Sequence, residues 1–205
     1  MENPGKVPAL HEVLPVMPSA ASQGARVAVP VSLITSLSGR VLAPDISMTK
    51  TAAAHFGFSE EQREWASKCL SEAFQELIKS DHENGTVKSE ANGGQVIEIL
   101  PNPQARNLVH RFYGQLTEQI PPEDAKALVS IAAGSPYFGL FGAFRRHVFI
   151  TEETDPHAKV HHPYRVEFDY FATDSGRPFN SQGVSLNAID YKNHFEKIVK
   201  RSGAQ

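Results

Sequence analysis

The sequence contains a single cysteine, Cys69, among its 205 residues. One cysteine excludes an intramolecular disulfide and a zinc site built from several thiolates. Long apolar runs are also missing, because the stretch 27–42 is interrupted by Pro30, Gly39 and Arg40 and cannot cross a bilayer. The chain does not begin with a basic stretch followed by an apolar one, so no signal peptide is predicted. We therefore expect no membrane span and a cytoplasmic location, or an extracytoplasmic one if the chain is a processed fragment.

A large excess of charge of either sign is absent as well. The 20 Lys and Arg residues against 23 Asp and Glu residues give a net charge of -3. This balance does not favour nucleic-acid binding, which gains most of its affinity by neutralising phosphates with basic side chains. Apolar residues make up 40% of the chain and charged residues 21%, which is typical of a globular protein with a sizeable core.

Proline is concentrated at the start of the chain. Six of the 14 prolines lie before residue 51, namely Pro4, Pro8, Pro15, Pro18, Pro30 and Pro44. Frequent proline blocks helices and removes backbone donors from sheets. The segment is nevertheless too apolar for a fully solvated linker. We predict that residues 1–50 form a largely irregular arm that contacts its own domain, a second copy of the chain or another protein, and that residues 51–205 form one globular domain.

The strongest helix signal begins after Ser59. Ser59 and Gln62 have the spacing of a capping box, in which each side chain accepts a hydrogen bond from the other residue's backbone. Apolar residues then recur every four positions, as expected for the buried stripe of a helix (Trp65, Cys69, Ala73 and Leu77). Because Cys69 belongs to this stripe, we predict a buried, unreactive thiol with a raised pKa. Further helices are predicted after Asn102, after Pro121 and over residues 187–201.

The strand signals come in adjacent pairs. A first hairpin is predicted around Asn92-Gly93, which favours a tight turn, and a second joins residues 145–152 to the alternating strand that begins near Tyr164. The segment between this strand and the last helix, with Gly176, Pro178 and Gly183, is predicted to be a loop. Paired strands close into an antiparallel sheet. We therefore predict an α+β fold: an antiparallel sheet of about four strands in two hairpins, with three to four helices packed on one face.

Aromatic residues are concentrated between the third predicted helix and the second hairpin. This connector contains Tyr137, Phe138 and Phe141 together with Gly139 and Gly142. Two interpretations are open. The glycines could permit a tight backbone path while Phe138 and Phe141 fill the core, or the aromatic loop could be exposed and insert into a partner. Tyr137, Phe138 and Phe141 are our candidate binding residues.

Histidines are concentrated in the second hairpin, where His147, His157, His161 and His162 lie near Asp155 and Glu152. Such side chains can bind a metal or act as acid and base, provided that they converge. However, neighbouring residues of a strand point to opposite faces, so His161 and His162 could not both bind one ion there. No recognised ligand spacing is present, and solvated surface and hairpin-loop histidines therefore explain the group better than a metal site does. We assign no catalytic residue, no metal and no cofactor.

The function suggested by these features is that of a non-enzymatic binding or accessory domain acting through protein-protein contacts of the arm and the aromatic connector. The alternative is a small hydrolase or metal-dependent enzyme that uses the histidine-rich hairpin at 147–162. No motif diagnostic of a known family is present.

Overall fold

The computed structural model describes residues 41–43, 45–89, 95–152, 164–172, 177–186 and 192–202. Within these ranges there are five α-helices: α1 (Lys50–Phe56), α2 (Glu60–Asn84), α3 (Ala105–Leu116), α4 (Pro122–Gly134) and α5 (Lys197–Ser202). There are five strands: β1 (Gly85–Ser89), β2 (Gln95–Ile99), β3 (Arg145–Glu152), β4 (Tyr164–Phe171) and β5 (Asn180–Leu186). A tight turn occupies Gly139–Gly142, and one π-helical turn, Lys192–Glu196, leads into α5.

The described residues divide into two compact units. The helical unit comprises the described residues up to Glu76 together with Gln104–Phe141, and so contains α1, α3, α4 and the first part of α2. The sheet unit comprises Leu77–Pro103 and the described residues from Gly142 onward, and so contains the end of α2, all five strands and α5. The single domain predicted for residues 51–205 stays a prediction.

The helical unit confirms the predicted start of α2. The Gln62 amide donates to Ser59 Oγ at 3.2 Å, and the Ser59 amide donates to Gln62 Oε1 at 3.0 Å, which is the reciprocal pattern of a capping box. Cys69 is buried, and burial raises the pKa of its thiol to about 11, with smaller contributions from nearby carboxylates. At neutral pH the thiol is therefore protonated and a poor nucleophile.

The end of the predicted arm packs against α2. Val41, Leu42, Ile46 and Met48 are all buried. The Met48 amide donates to Ser67 Oγ at 3.0 Å, and the following residue, Thr49, caps α1 by accepting from the Ala52 amide at 3.1 Å. These contacts satisfy backbone groups that would otherwise lie buried without partners. Residues 1–40 of the arm lie outside the described residues.

The sheet unit is built on one antiparallel sheet with the order β1-β2-β3-β4-β5. Arg146, Val148 and Ile150 on β3 lie opposite Tyr170, Phe168 and Val166 on β4 and form part of the inner face with them. The π-helical turn and α5 pack against this face, where the Phe168 and Phe195 ring centroids are 6.0 Å apart. The predicted α+β class with an antiparallel sheet is thus confirmed.

The prediction of about four strands was one too low. The segment with Gly183, predicted to be a loop, forms β5 and pairs with β4 over seven residues, from Tyr170↔Asn180 to Tyr164↔Leu186. Serine, glutamine and glycine dominate this segment, so the sequence lacks the alternation of apolar and polar residues that identified β4. Pairing with β4 makes it a strand. In the described part of the chain, no helix has the length and apolar character needed to cross a membrane.

Candidate functional site

The three candidate binding residues of the aromatic connector lie in the helical unit, and two of them are core residues. Phe138 and Phe141 are fully buried, with ring centroids 5.3 Å apart, whereas Tyr137 is half-buried. Phe138 also lies 5.7 Å from the Phe74 ring and 6.4 Å from the Phe112 ring. In this conformation Phe138 and Phe141 fill the core, as the first interpretation expects, and only Tyr137 presents any of its surface to a partner.

The structure describes only part of the predicted histidine group. His147 lies on the outer face of β3, where its Nε2 is 3.5 Å from Glu98 Oε1. Asp155, His157, His161 and His162 lie outside the described residues, and so does the side chain of Glu152. Over the described ranges, no group of three or more His, Cys, Asp or Glu side chains is arranged to hold a metal ion. The enzyme hypothesis stays a prediction.

A buried group of charged side chains on the inner face of the sheet was not predicted. Asp81, in the last turns of α2, is 1% exposed and accepts two hydrogen bonds from the guanidinium of Arg146, one from each terminal nitrogen. His194 Nε2, in the π-helical turn, lies 2.8 Å from Asp81 Oδ2. Because an ionised carboxylate can only accept, His194 carries a proton on Nε2. The carboxylate thus joins three segments that are far apart in sequence.

Electrostatics keep this carboxylate ionised. Burial opposes ionisation of Asp81, but the positive charge of Arg146 and the hydrogen bonds from His194 and Arg146 outweigh it, so its pKa lies below the ordinary value of 3.8. Next to it, His82 Nε2 donates to the carbonyl oxygen of His194 at 2.7 Å. Partial burial is the main cause that lowers the pKa of His82 below its usual range. Burial also raises the pKa of Tyr170, whose hydroxyl donates to Gln182 Oε1.

Two signals in the sequence could have revealed this group. The four-residue stripe that runs from Trp65 to Leu77 reaches Asp81 at its next step, and Arg146 shares a strand face with Val148. An acid on a buried helix stripe and an arginine on a buried strand face can both be accommodated only if they pair. Because the carboxylate is fully engaged by its partners, we assign the group a structural role.

Lowering the pH should decrease the stability of the sheet unit, because Asp81 becomes protonated. A group whose folded pKa is depressed stabilises the fold at pH values above its unfolded pKa, and this stabilisation is lost as the pH falls through the folded pKa. We expect the urea midpoint of the wild type to fall more steeply between about pH 5 and about pH 3 than that of Asp81→Asn, which cannot titrate. All other carboxylates are common to both proteins. Parallel pH profiles would contradict the assignment.

The outer face of the sheet carries a second ionic group. Glu98 on β2 is only 7% exposed and forms ion pairs with Lys88 and, at 3.8 Å, with Arg145, while His147 Nε2 lies 3.5 Å from its Oε1. Burial opposes ionisation of Glu98, but the hydrogen bond and charge of Lys88 prevail and lower its pKa. The Arg145 guanidinium also lies 4.8 Å from the centre of the Phe171 ring. Cross-strand pairs of this kind stabilise an outer sheet face and do not by themselves indicate a ligand.

The two edges of the sheet differ. Arg201 of α5 donates to the carbonyl oxygen of Gly85 in β1. The packing there is close, since a Cβ atom at Gly85 would lie 2.7 Å from the Asp81 carbonyl oxygen and 2.9 Å from Ile198 Cδ1. Among the strands that the structure describes, β5 forms the other edge. Phe179 directly precedes it and is 53% exposed, with its ring 4.9 Å from that of Phe144.

Comparison with known proteins adds no assignment. No protein-family model, no curated protein and no solved structure matches the chain. The β5 edge with Phe179 is our candidate functional site.

Proposed function

We propose that this chain is a non-enzymatic binding domain that acts through protein-protein contacts, and that β5 with the adjacent Phe179 is the surface that makes them. The observation that carries the proposal is the composition of this edge. β5, Asn180–Leu186, contains no charged residue and no proline, although it is the last strand of the sheet. Charge and proline are common means by which proteins prevent edge strands from pairing with other chains.

Phe179 adds apolar surface at the start of the same edge. In the described part of the chain, two large hydrophobic residues are exposed, Phe179 and Leu100. Single exposed apolar residues are common and carry no meaning alone. However, a protein that binds a partner by adding a strand to its sheet uses two kinds of contact, and an exposed aromatic ring beside an edge strand without charge or proline supplies both. The backbone of the edge provides hydrogen bonds, and the side chain provides apolar contact.

The binding surface proposed here differs from the two that the sequence suggested, the arm and the aromatic connector. The rings of Phe138 and Phe141 are buried, and most of the arm lies outside the described residues. The edge of β5 is the alternative that the described residues support best. We expect the bound partner to be an extended protein segment that lies alongside β5.

A site-specific crosslinking experiment tests the proposal. Phe179 is replaced by the photoreactive analogue benzoylphenylalanine in cells that produce the protein, and Leu100, which is 50% exposed, receives the same replacement as a matched control. We expect a covalent protein adduct from position 179 and none of the same mass from position 100. Introducing Gly183→Lys should abolish this adduct, whereas Gly183→Ala should retain it. Failure to form an adduct at 179, or one identical adduct at both positions, would overturn the proposal.

A further inference from the structure

The exposed edge of β5 has a property that narrows the choice of partner. Each of the other four strands carries at least one charged residue, for example Lys88 in β1, Glu98 in β2 and Arg165 in β4. β5 carries none. When a strand pairs with a copy of itself, every charge lies opposite or near its own kind, and like charges directly opposite each other are destabilising. A strand without charge avoids this penalty completely.

We propose that β5 pairs antiparallel with β5 of a second copy of this chain, with Gly183 on the two-fold axis. This inference rests on the proposed function and names the partner of the same edge. In this register, Gly183 lies opposite its counterpart, Ser181 opposite Ser185, and Gln182 opposite Val184. The residue with no side chain beyond Cα therefore occupies the position where a residue meets its own copy.

The register also matches the backbone groups. In an antiparallel strand, alternate residues direct their amide and carbonyl groups to opposite sides. Pairing about Gly183 places odd-numbered residues opposite odd-numbered ones and even-numbered residues opposite even-numbered ones. One of these two sets, odd or even, directs its backbone groups away from β4. In either case, the residues of that set lie opposite residues of the same set in the second copy. The edge is self-complementary, as an isologous two-fold interface requires.

The opposite edge limits this assembly to two chains. β1 is short, carries Lys88, and is packed closely against α5, whose Arg201 already donates to the Gly85 carbonyl. An edge that is occupied in this way does not add further strands. Among the described strands, β5 is the remaining edge of each copy. Pairing through β5 alone therefore gives a closed dimer with a ten-stranded sheet and not a growing fibre.

Gly183 provides a matched pair of variants. A Cβ atom at this position would meet only Glu167 Cγ and the Val166 carbonyl oxygen, each at 3.8 Å, which is ordinary van der Waals contact. Its φ angle lies outside the left-handed region. Alanine and lysine are thus both compatible with the folded monomer. In the dimer, Gly183→Lys places two ammonium groups opposite each other, whereas Gly183→Ala adds only a methyl group.

The experiment is sedimentation equilibrium of the purified full-length chain at loading concentrations from about 5 to about 500 µM, the range in which weak interfaces dissociate. We expect a monomer-dimer equilibrium for the wild type and for Gly183→Ala. For Gly183→Lys we expect a dissociation constant raised at least about tenfold, with an unchanged melting temperature at low protein concentration. Elevated salt should partly restore its dimer by screening the two charges.

Three outcomes would overturn the inference. They are a wild type that stays monomeric throughout the range, a Gly183→Lys variant that dimerises like the wild type, and an association that continues beyond the dimer. A monomeric wild type that still forms the Phe179 adduct with a different protein would remove the second copy as the partner but leave the proposed function intact. Loss of both the dimer and the adduct would reject both proposals.

Discussion

Replacement of Asp81 by alanine is expected to lower the free energy of unfolding by about 3 to 5 kcal/mol, the usual cost of removing one partner of a buried ion pair. The guanidinium of Arg146 is 2% exposed and would keep its charge after the carboxylate is removed. His194 would also lose the acceptor of its Nε2 proton. Urea unfolding followed by circular dichroism measures the loss. A loss below about 1 kcal/mol, the typical value for an exposed pair, would contradict the assignment.

An exposed pair on the same helix serves as the control. Glu76 is paired with Arg111, and both side chains are about half exposed or more, at 47% and 62%. Glu76→Ala should therefore cost no more than about 1 kcal/mol. If Asp81→Ala does not fold, Asp81→Asn provides the comparison, because it keeps the shape of the side chain and removes only its charge. Equal effects at positions 76 and 81 would show that burial of the pair has no energetic consequence.

Truncation of Phe138 to alanine is expected to cost about 3 to 5 kcal/mol, because it opens a cavity in the aromatic core of the helical unit. The ring is fully buried and contacts Phe74, Phe112 and Phe141. Tyr137→Ala is the matched control from the next position. Its ring is half-buried and is in edge-on contact with Phe74 at 6.5 Å, so the loss should be clearly smaller.

The same pair of variants separates the two interpretations of the connector. If Phe138 acts in the core, its truncation changes the urea midpoint. If its main role were to bind a partner, truncation would leave the stability of the isolated chain within about 0.5 kcal/mol of the wild type, as for most surface substitutions. We expect the first result. A stable Phe138→Ala variant would require a conformation in which the connector leaves the core.

The elements that could be predicted are those whose local signals agree with their surroundings. The capping box at Ser59 and the four-residue stripe of α2 need no information beyond the helix itself. β4 alternates because one face of it is buried, as its observed burial confirms. β5 could not be predicted, since its pairing with β4 makes it a strand and its own composition is that of a loop.

The sites were less predictable than the fold. Which side chains meet depends on register and on how distant segments pack, and one sequence does not specify either. Asp81 and His194, for example, are 113 residues apart in the chain. Arg146 lies two residues before Val148 on β3, so both side chains are on the same apolar face of the strand. The β5 edge depends on a strand that the sequence did not indicate.

The turn Gly139–Gly142 has a consequence for the energetics of the aromatic core. All four of its residues have positive φ angles, including Leu140 at 56° and Phe141 at 55°. In the left-handed region of positive φ, each residue with a Cβ atom raises the free energy of the folded state by about 1 to 2 kcal/mol. The burial of Phe138 and Phe141 must offset that increase. The buried rings of Phe138 and Phe141 therefore hold the backbone of the turn in a strained conformation. If the rings left the core, the backbone could relax and part of this strain would be released. Local opening of the connector should for this reason require less free energy than the burial of its side chains alone would suggest.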